Sequence, residues 1–214
     1  MIRTLRTDTR DAGFTLAELL VYMLLLSLVL VGIGTVIIRS VRGQQQVVAV
    51  SQAAGDAQVA MQAIDRGVRN AAVGGVKVAP HVLVTHSGGG DAAGTFVCQA
   101  WVYVKPTAGA TFGSLWTRTL PASSSRPAAD RLDARGATLA AGGATTGWTR
   151  LVNGVVPQVG GVTGAVFSGT VPTVTTQFST VQTEGAGANK PGTKVGATVT
   201  SRLQAVSGNG GCFS

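Results

Sequence analysis

Residues 19–38, LLVYMLLLSLVLVGIGTVII, form an apolar run that contains no charged side chain. At about 1.5 Å per residue, a helix of this length crosses the roughly 30 Å hydrocarbon core of a bilayer. Arg39 and Arg42 follow the run, and a short leader with three further arginines precedes it. The sequence therefore predicts one membrane-spanning helix near the N-terminus, which excludes a purely cytosolic protein.

The composition of the whole chain is rich in glycine and low in charged residues. The protein has 214 residues, of which 30 are glycine and 12% are charged, whereas soluble domains carry about 25% charged residues. The formal net charge is +8, and the leader arginines favour a cytoplasmic N-terminus with the bulk of the chain outside. A basic balance of this size is also compatible with nucleic-acid binding, so the positions of the charges matter.

A cleaved secretory signal is a poor alternative for this segment. Such a signal has an apolar region of about 7–15 residues followed by a small-residue cleavage site, and the sequence VIIRSVRG at 36–43 offers no such site. The apolar segment also begins with GFTLAELL, which places Glu18 in its first turns. A carboxylate there costs about 1–3 kcal/mol, depending on its depth. Either it reaches the interface and pairs with headgroups or leader arginines, or it meets a specific cation.

The string Gly13-Phe14-Thr15-Leu16-Ala17-Glu18, between a basic leader and an apolar helix, resembles the class III signal of type IV pilins and pseudopilins. The resemblance implies cleavage by a membrane prepilin peptidase between Gly13 and Phe14, followed by N-methylation of Phe14. It also implies that Glu18 pairs with the N-terminal amine of a neighbouring subunit during filament assembly. A buried carboxylate is tolerable when such a cation meets it.

The resemblance implies an α+β fold in which one long N-terminal helix packs its second half on an antiparallel β-sheet. We expect a leader peptide over 1–13, a transmembrane and filament-core helix over 14–43, an amphipathic second half over 44–74 and an extracytoplasmic β-rich region over 75–214. The implied partners are the membrane, the prepilin peptidase, other pilin or pseudopilin subunits that contact the N-terminal helix, and an assembly platform protein. The implied location is a single-pass membrane protein that then enters a surface or periplasmic filament.

The pattern after Gly43 predicts an amphipathic helix. Apolar residues from Val47 to Ala71 recur at alternating steps of three and four, which is one stripe at helical period. The pair Gly74-Gly75 is expected to end the helix. The segment AMQAIDRGVRNA at 60–71 also resembles minor pilins and pseudopilins of the J and W types, which favours a minor subunit over a major one.

Beyond Gly75 the sequence predicts strands and loops. Runs rich in β-branched residues and bounded by Gly or Pro indicate strands at 76–84, 95–104, 149–156, 162–169, 171–181 and 197–206. Residues 121–147 have the composition of a long surface loop, and residues 184–194 that of a hairpin loop.

Cys98 and Cys212 are the only cysteines. Outside the cytoplasm an even pair indicates a disulfide, which would contribute about 4–5 kcal/mol for a loop of this length. Two buried free thiols remain the alternative. Many members of the pilin family close a C-terminal disulfide loop, although this one would enclose more than half of the globular region.

No motif supports catalysis, a cofactor or a metal site. A nucleophile elbow of the form G-x-S-x-G does not occur, and the glycines at 88–90 lack the ending of a phosphate-binding loop. His81 and His86 lack a cluster of metal ligands and are expected to be a surface or loop pair. The tryptophans are expected in the core or on a sheet face. DNA binding by arginines of the 118–150 region is possible but not favoured, because Asp130 and Asp133 interrupt them.

Overall fold

A computed structural model of the chain describes residues 15–88, 96–106, 112–158, 161–181, 193–202, 204–207 and 210–214. The chain forms two compact units, Met1–Val47 and Val48–Ser214. Helix α1 runs over Leu16–Arg69 and contributes to both units. The predicted leader lies outside the described residues, as does most of the predicted hairpin loop at 184–194.

Helix α1 ends earlier than the sequence pattern predicts. Its last residue is Arg69, and Ala71, expected on the helical stripe, begins the first strand instead. Gly74 lies within that strand at a φ of 69°, where the pairing register with the next strand shifts. The glycine pair therefore forms a β-bulge rather than a helix stop, because only glycine adopts this backbone conformation without strain.

The described part of the second unit contains one nine-stranded sheet. The strands are β1 (Ala71–Ala79), β2 (Val82–Gly88), β3 (Phe96–Val104), β4 (Gly113–Pro121), β5 (Thr149–Pro157), β6 (Phe167–Ser168), β7 (Thr173–Thr180), β8 (Thr193–Thr200) and β9 (Gln204–Ser207). Their order is β6-β7-β5-β4-β3-β2-β1-β9, and β8 pairs with β7. All pairs are antiparallel except β1 with β9, which is parallel. The expected α+β fold with a long helix on an antiparallel sheet is confirmed.

Two predicted strands each divide into separate elements. The run at 76–84 turns at Pro80 and His81 and supplies parts of β1 and β2. The run at 197–206 was expected as one strand, but its first part belongs to β8 and its last part to β9. Between them the N–H of Arg202 donates to the carbonyl of Arg69 at 3.2 Å, so the chain leaves β8 and reaches the end of α1.

Among the described strands, β8 forms an edge of the sheet, with an outward row of polar side chains. Two hydroxyl pairs form hydrogen bonds between β8 and β7. The Oγ1 atoms of Thr200 and Thr173 are 3.3 Å apart, and those of Thr198 and Thr175 are 3.0 Å apart. Lys194 is exposed in the same row. The opposite side of β8 contributes Val195, Ala197 and Val199 to the core, as expected for the two-residue period of a strand.

The second half of α1 packs on one face of the sheet through small and branched residues. Ala57, Ala60, Ile64 and Val68 are fully buried there, in one cluster with Trp101. A Cβ atom placed on Gly67 would lie 2.2 Å from the Trp101 ring. The glycine therefore lets the helix approach the indole.

The expected loop at 121–147 contains a helix, so that prediction is wrong for its central part. A 3-10 turn at Ala128–Asp130 leads into helix α2, Leu132–Ala140, whose leucines at 132 and 139 are buried. A Cβ atom on Gly136 would lie 2.9 Å from Val82 and 3.1 Å from Val102. Trp101 and Val102 are neighbours on β3, so their side chains point to opposite faces of the sheet. Trp101 packs with α1 and Val102 packs with α2, so the two helices cover opposite faces of this strand.

Candidate processing and assembly site

Thr15 caps the N-terminus of α1 and fixes the position of Glu18. The backbone N–H of Glu18 donates to Thr15 Oγ1 at 3.3 Å and to the Thr15 carbonyl at 3.0 Å. Thr-x-x-Glu is the spacing of a capping box, in which a threonine accepts from the N–H three residues later. Glu18 thereby lies in the first turn, where the positive end of the helix dipole favours a carboxylate.

The Glu18 side chain is exposed, and within the described residues no hydrogen bond or ion pair to its carboxylate is present. Gly13 and Phe14, the expected processing residues, lie outside the described residues. The exposed carboxylate stands at the start of an apolar helix, where leaving it unpaired in lipid would be costly. Its position allows it to accept a cation from another molecule.

The first part of α1 presents apolar side chains on every side. Its most apolar stretch has a mean hydropathy of 2.6, and none of that stretch is buried within the chain. The exposed fractions of Leu16 and Val31 are 80% and 67%. An apolar surface of this extent on a monomer indicates contact with membrane or with protein.

The side-chain hydroxyls of Ser27 and Thr35 inside this apolar stretch bond to their own helix. Ser27 Oγ donates to the carbonyl of Leu24 at 2.8 Å, and Thr35 Oγ1 donates to the carbonyl of Gly32 at 2.7 Å. Such bonds satisfy polar groups where water is absent. These two hydroxyl groups therefore stay hydrogen-bonded when the helix enters a hydrocarbon phase.

The structure joins Cys98 of β3 to Cys212 by a disulfide, and both cysteines are fully buried. The disulfide holds the tail, residues 210–214, against α2. The N–H of Leu132 donates to the carbonyl of Cys212 at 2.8 Å, and the N–H of Ser123 donates to the carbonyl of Gly210 at 2.9 Å.

An ion pair adds to these contacts beside the tail. Lys77 Nζ donates to Asp133 Oδ2 at 2.7 Å and to the main-chain oxygen of Ser214 at 2.8 Å. The N–H and hydroxyl of Ser214 also donate to Asp133 Oδ2, at 3.2 and 3.0 Å. Burial alone would raise the pKa of Asp133, but the hydrogen bonds from Lys77 and Ser214 outweigh it and lower the pKa below its usual value.

Four of the five arginines in the 118–150 region have side-chain contacts within the chain. The Cζ atom of Arg118 lies 6.0 Å from the centre of the Trp148 ring, and that of Arg150 lies 5.8 Å from the centre of the Trp116 ring. Arg126 donates to the carbonyl of Pro121, and Arg135 forms an ion pair with Asp130. These contacts place the four arginines on the α2 face of the sheet. The expectation that the tryptophans lie in the core or on a sheet face is confirmed, with Trp101 fully buried.

The two histidines do not form the expected surface pair. His86 is buried on β2, with its ring 5.0 Å from that of Phe96. His81 lies at the β1–β2 turn, where burial and the charge of Lys105 lower its pKa. The Tyr103 ring lies 5.7 Å from His81, and burial raises the pKa of Tyr103 to about 12. Within the described ranges, no group of three His, Cys, Asp or Glu side chains could hold a metal ion.

Sequence reasoning missed the residues that organise the α2 face. The buried positions Leu132, Gly136 and Leu139 follow a helical spacing of four and three, which is the signal that could have revealed α2. The pairing of Lys77 with Asp133 has no local signal, because the two residues meet only after the sheet and α2 have packed.

Comparison with known proteins gives one match, at the N-terminus. The model of the prokaryotic N-terminal methylation motif matches residues 8–34. Comparisons with curated proteins and with solved structures find no match for the chain. The matched segment includes the six residues 13–18 and most of the apolar run. With the apolar helix, this signal fits a membrane-anchored protein whose bulk lies outside the cytoplasm. The match at residues 8–34 supports a class III signal of the type IV pilin kind at the start of the chain.

Proposed function

We propose that the chain is a minor pilin or pseudopilin, a structural subunit of a type IV pilus or of a secretion-type filament. The observation that carries the proposal is the methylation motif at 8–34, which leads into an exposed apolar helix whose second half packs on a β-sheet. In this proposal prepilin peptidase cleaves between Gly13 and Phe14, and Phe14 becomes the methylated N-terminus.

The exposed helix explains why the subunit moves from the membrane into a filament. Lipid covers the apolar side chains before assembly, and equivalent helices of neighbouring subunits cover them afterwards, so little apolar surface meets water at either stage. The carboxylate of Glu18 then receives the amine of Phe14 of a neighbour. Both charges lie in a low-dielectric environment, where an unpaired carboxylate would cost several kcal/mol.

The proposed orientation places the N-terminus in the cytoplasm and the sheet outside. The leader arginines favour this direction, and disulfides persist in oxidising compartments. The bonded pair Cys98–Cys212 agrees with that location. We further propose that an assembly platform protein receives the processed subunit, and that the subunit acts at initiation or at the filament tip.

Processing gives the most direct test. Intact-mass measurement and N-terminal sequencing of the chain from membranes should show a methylated chain that begins at Phe14. Replacing Gly13→Leu should leave the chain uncut, because a bulky side chain then occupies the position before the cleaved bond. A wild-type chain that stays uncut, or that is cut after residue 38, would contradict the proposal.

The role of Glu18 needs a separate experiment. Glu18→Ala should leave membrane insertion intact but lower filament incorporation by about two orders of magnitude, equivalent to about 3 kcal/mol for losing one partner of a buried ion pair. Thr15→Ala is the comparison variant: it removes the helix cap that positions Glu18, at a cost of about 1 kcal/mol, but keeps the carboxylate, so it should lower incorporation less than Glu18→Ala. Equal incorporation of Glu18→Ala and wild type would remove the role given to Glu18.

A further inference from the structure

A polar groove lies where the end of α1 meets β2 and β3. Its volume is about 420 Å³, and its polar lining comes from Arg66, Asn70, Ser87 and Gln99. Arg66 also borders a second hollow of about 260 Å³, lined by Val59, Gln62 and Ala63 of α1. Arg66 therefore stands between two adjoining depressions along one side of the helix.

The chemistry of the groove suits a carboxylate. The guanidinium of Arg66 offers several N–H donors in a planar fork, and the amide and hydroxyl groups beside it supply further donors. Nearby on the helix, Asp65 is already occupied, because both of its oxygens accept from Arg69 Nε at 2.8 Å. Among the described residues, no carboxylate pairs with Arg66.

The chain also presents an acid that has no ion-pair partner among the described residues. Asp65, Asp130 and Asp133 form ion pairs within the chain. Among the described acidic residues beyond the apolar run, this leaves Asp56, which is exposed on α1 one turn before Val59. Val59 is 61% exposed and borders the second hollow. One helix thus presents an exposed acid and a cationic groove.

Asp56 cannot fill the groove of its own chain. Ten residues of α-helix separate it from Arg66, which is about 15 Å along the axis. The two side chains also point roughly 80° apart around the helix at 100° per residue. A pair between them therefore requires two copies of the chain, with their α1 helices side by side and offset by about 15 Å.

We propose that the groove at Arg66 receives Asp56 of a second copy of this chain. The contact is heterologous, since each copy uses one surface to give the acid and another to receive it. It rests on the proposed function, because it gives neighbouring copies of the subunit, at initiation or at the tip, a fixed axial offset outside the membrane. Val59 lies next to both charged groups and would lose exposed surface in the contact.

Charge reversal tests this pairing in the full-length chain. Two differently tagged copies are expressed together, and their association in membranes and filaments is measured by chemical cross-linking. Arg66→Glu or Asp56→Arg in both copies should weaken association about tenfold, because like charges then face each other. Arg202→Glu is the matched control, since Arg202 is exposed near the same helix end but does not line the groove; it should leave association unchanged.

Restoration by a second reversal distinguishes a direct pair from a folding defect. The double variant Asp56→Arg/Arg66→Glu should regain most of the lost association. A copy with Asp56→Arg mixed with a copy with Arg66→Glu should also associate, although neither associates well with itself. A reducing and non-reducing gel comparison verifies folding by the presence of the Cys98–Cys212 bond. If Arg66→Glu fails to fold, Asp56→Arg alone still tests the contact, because Asp56 does not line the groove.

Specific outcomes would overturn the pairing. Single reversals without effect, or a double variant as weak as the singles, would show that Asp56 does not meet Arg66. Binding of acetate or glutamate to wild type, with association unchanged in both single variants, would instead assign the groove to a free carboxylate. If the chain is cut at Phe14 and enters filaments while these variants have no effect, only this inference fails. If wild type is neither cut nor incorporated, the proposed function fails first.

Discussion

The two faces of the central sheet are covered by helices that are held in place differently. On one face, α1 contributes small and branched side chains to a core that includes Trp101. Among the described residues, no disulfide links α1 to the sheet. On the other face, α2 has nine residues and is accompanied by a disulfide, the tail and the Lys77–Asp133 ion pair. The shorter helix is thus held by a disulfide, tail hydrogen bonds and an ion pair in addition to packing.

The difference follows from how much apolar surface each helix can bury. An isolated helix of nine residues is unstable in water, and α2 buries only Leu132 and Leu139 as large side chains. Helix α1 is long and aligns several buried residues in one stripe, so packing alone can hold it. A cross-link is therefore most valuable where the buried area is smallest.

The largest effect should come from removing the cross-link. Cys98→Ala/Cys212→Ala should lower the free energy of unfolding by about 4–5 kcal/mol, as the chain-entropy model gives for a long loop. Amide hydrogen exchange should rise first in α2 and the tail, while the buried stripe of α1 stays protected. An equal rise on both faces would show that the two helices unfold as one unit.

The glycine contacts compare the two faces directly. Gly67→Ala should cost about 2–3 kcal/mol, because its Cβ would lie 2.2 Å from the Trp101 ring in a filled core. Gly136→Ala should cost about 1 kcal/mol, since the nearest atom, on Val82, is 2.9 Å away and can shift.

Gly55→Ala is the control for this pair of substitutions, because open space surrounds that position. It should stabilise the chain by up to about 1 kcal/mol through helix propensity. Thermal or urea unfolding of the three variants measures the order. If Gly136→Ala lowers the free energy of unfolding more than Gly67→Ala does, then α2 packs more tightly on the sheet than α1.

The smallest effect concerns pH. The pKa of Asp133 is lower in the folded chain than in the unfolded one, so its ion pair contributes fully above the unfolded value of 3.8. That contribution is lost as the pH falls through the lower folded value. Asp133→Asn should therefore cost about 1 kcal/mol near neutral pH and weaken the acid dependence of stability below about pH 4.

Asp65→Asn provides the comparison on the α1 face. Its partner Arg69 lies four residues away on the same helix, and both side chains are well exposed. Such a pair is worth about 0.3–0.5 kcal/mol, so the loss should be smaller than at Asp133. Urea titrations at several pH values check both variants. Equal losses would show that the Lys77–Asp133 ion pair contributes no more to the free energy of unfolding than a surface ion pair does.

The features predicted correctly from the sequence are those whose signals are contiguous. The class III signal occupies six neighbouring residues, and α1 shows its apolar run and its 3.6-residue period along one segment. Strand β3 was also predicted within one residue of its observed start. In these segments, local pattern and tertiary role coincide.

Features that depend on tertiary contacts were not predicted. The pattern for α1 extended past Arg69 because Ala71 suits a helical stripe and a strand equally well. The 121–147 segment resembles a loop by composition, but Leu132 and Leu139 find apolar partners on the sheet. The groove at Arg66 was hidden for the same reason, since its lining comes from a helix and two strands.

The row of hydroxyls on β8 has a consequence for how copies of this chain can meet. An exposed sheet edge offers unpaired backbone groups that another strand could extend, and a charged residue on the edge opposes such extension. Lys194 and the threonine pairs at 198 and 200 give this edge a hydrated, polar border. Continuing the sheet into a neighbour would strip water from that lysine. The edge strand thereby opposes strand-to-strand joining between copies of the chain, which agrees with the proposed association through their helices.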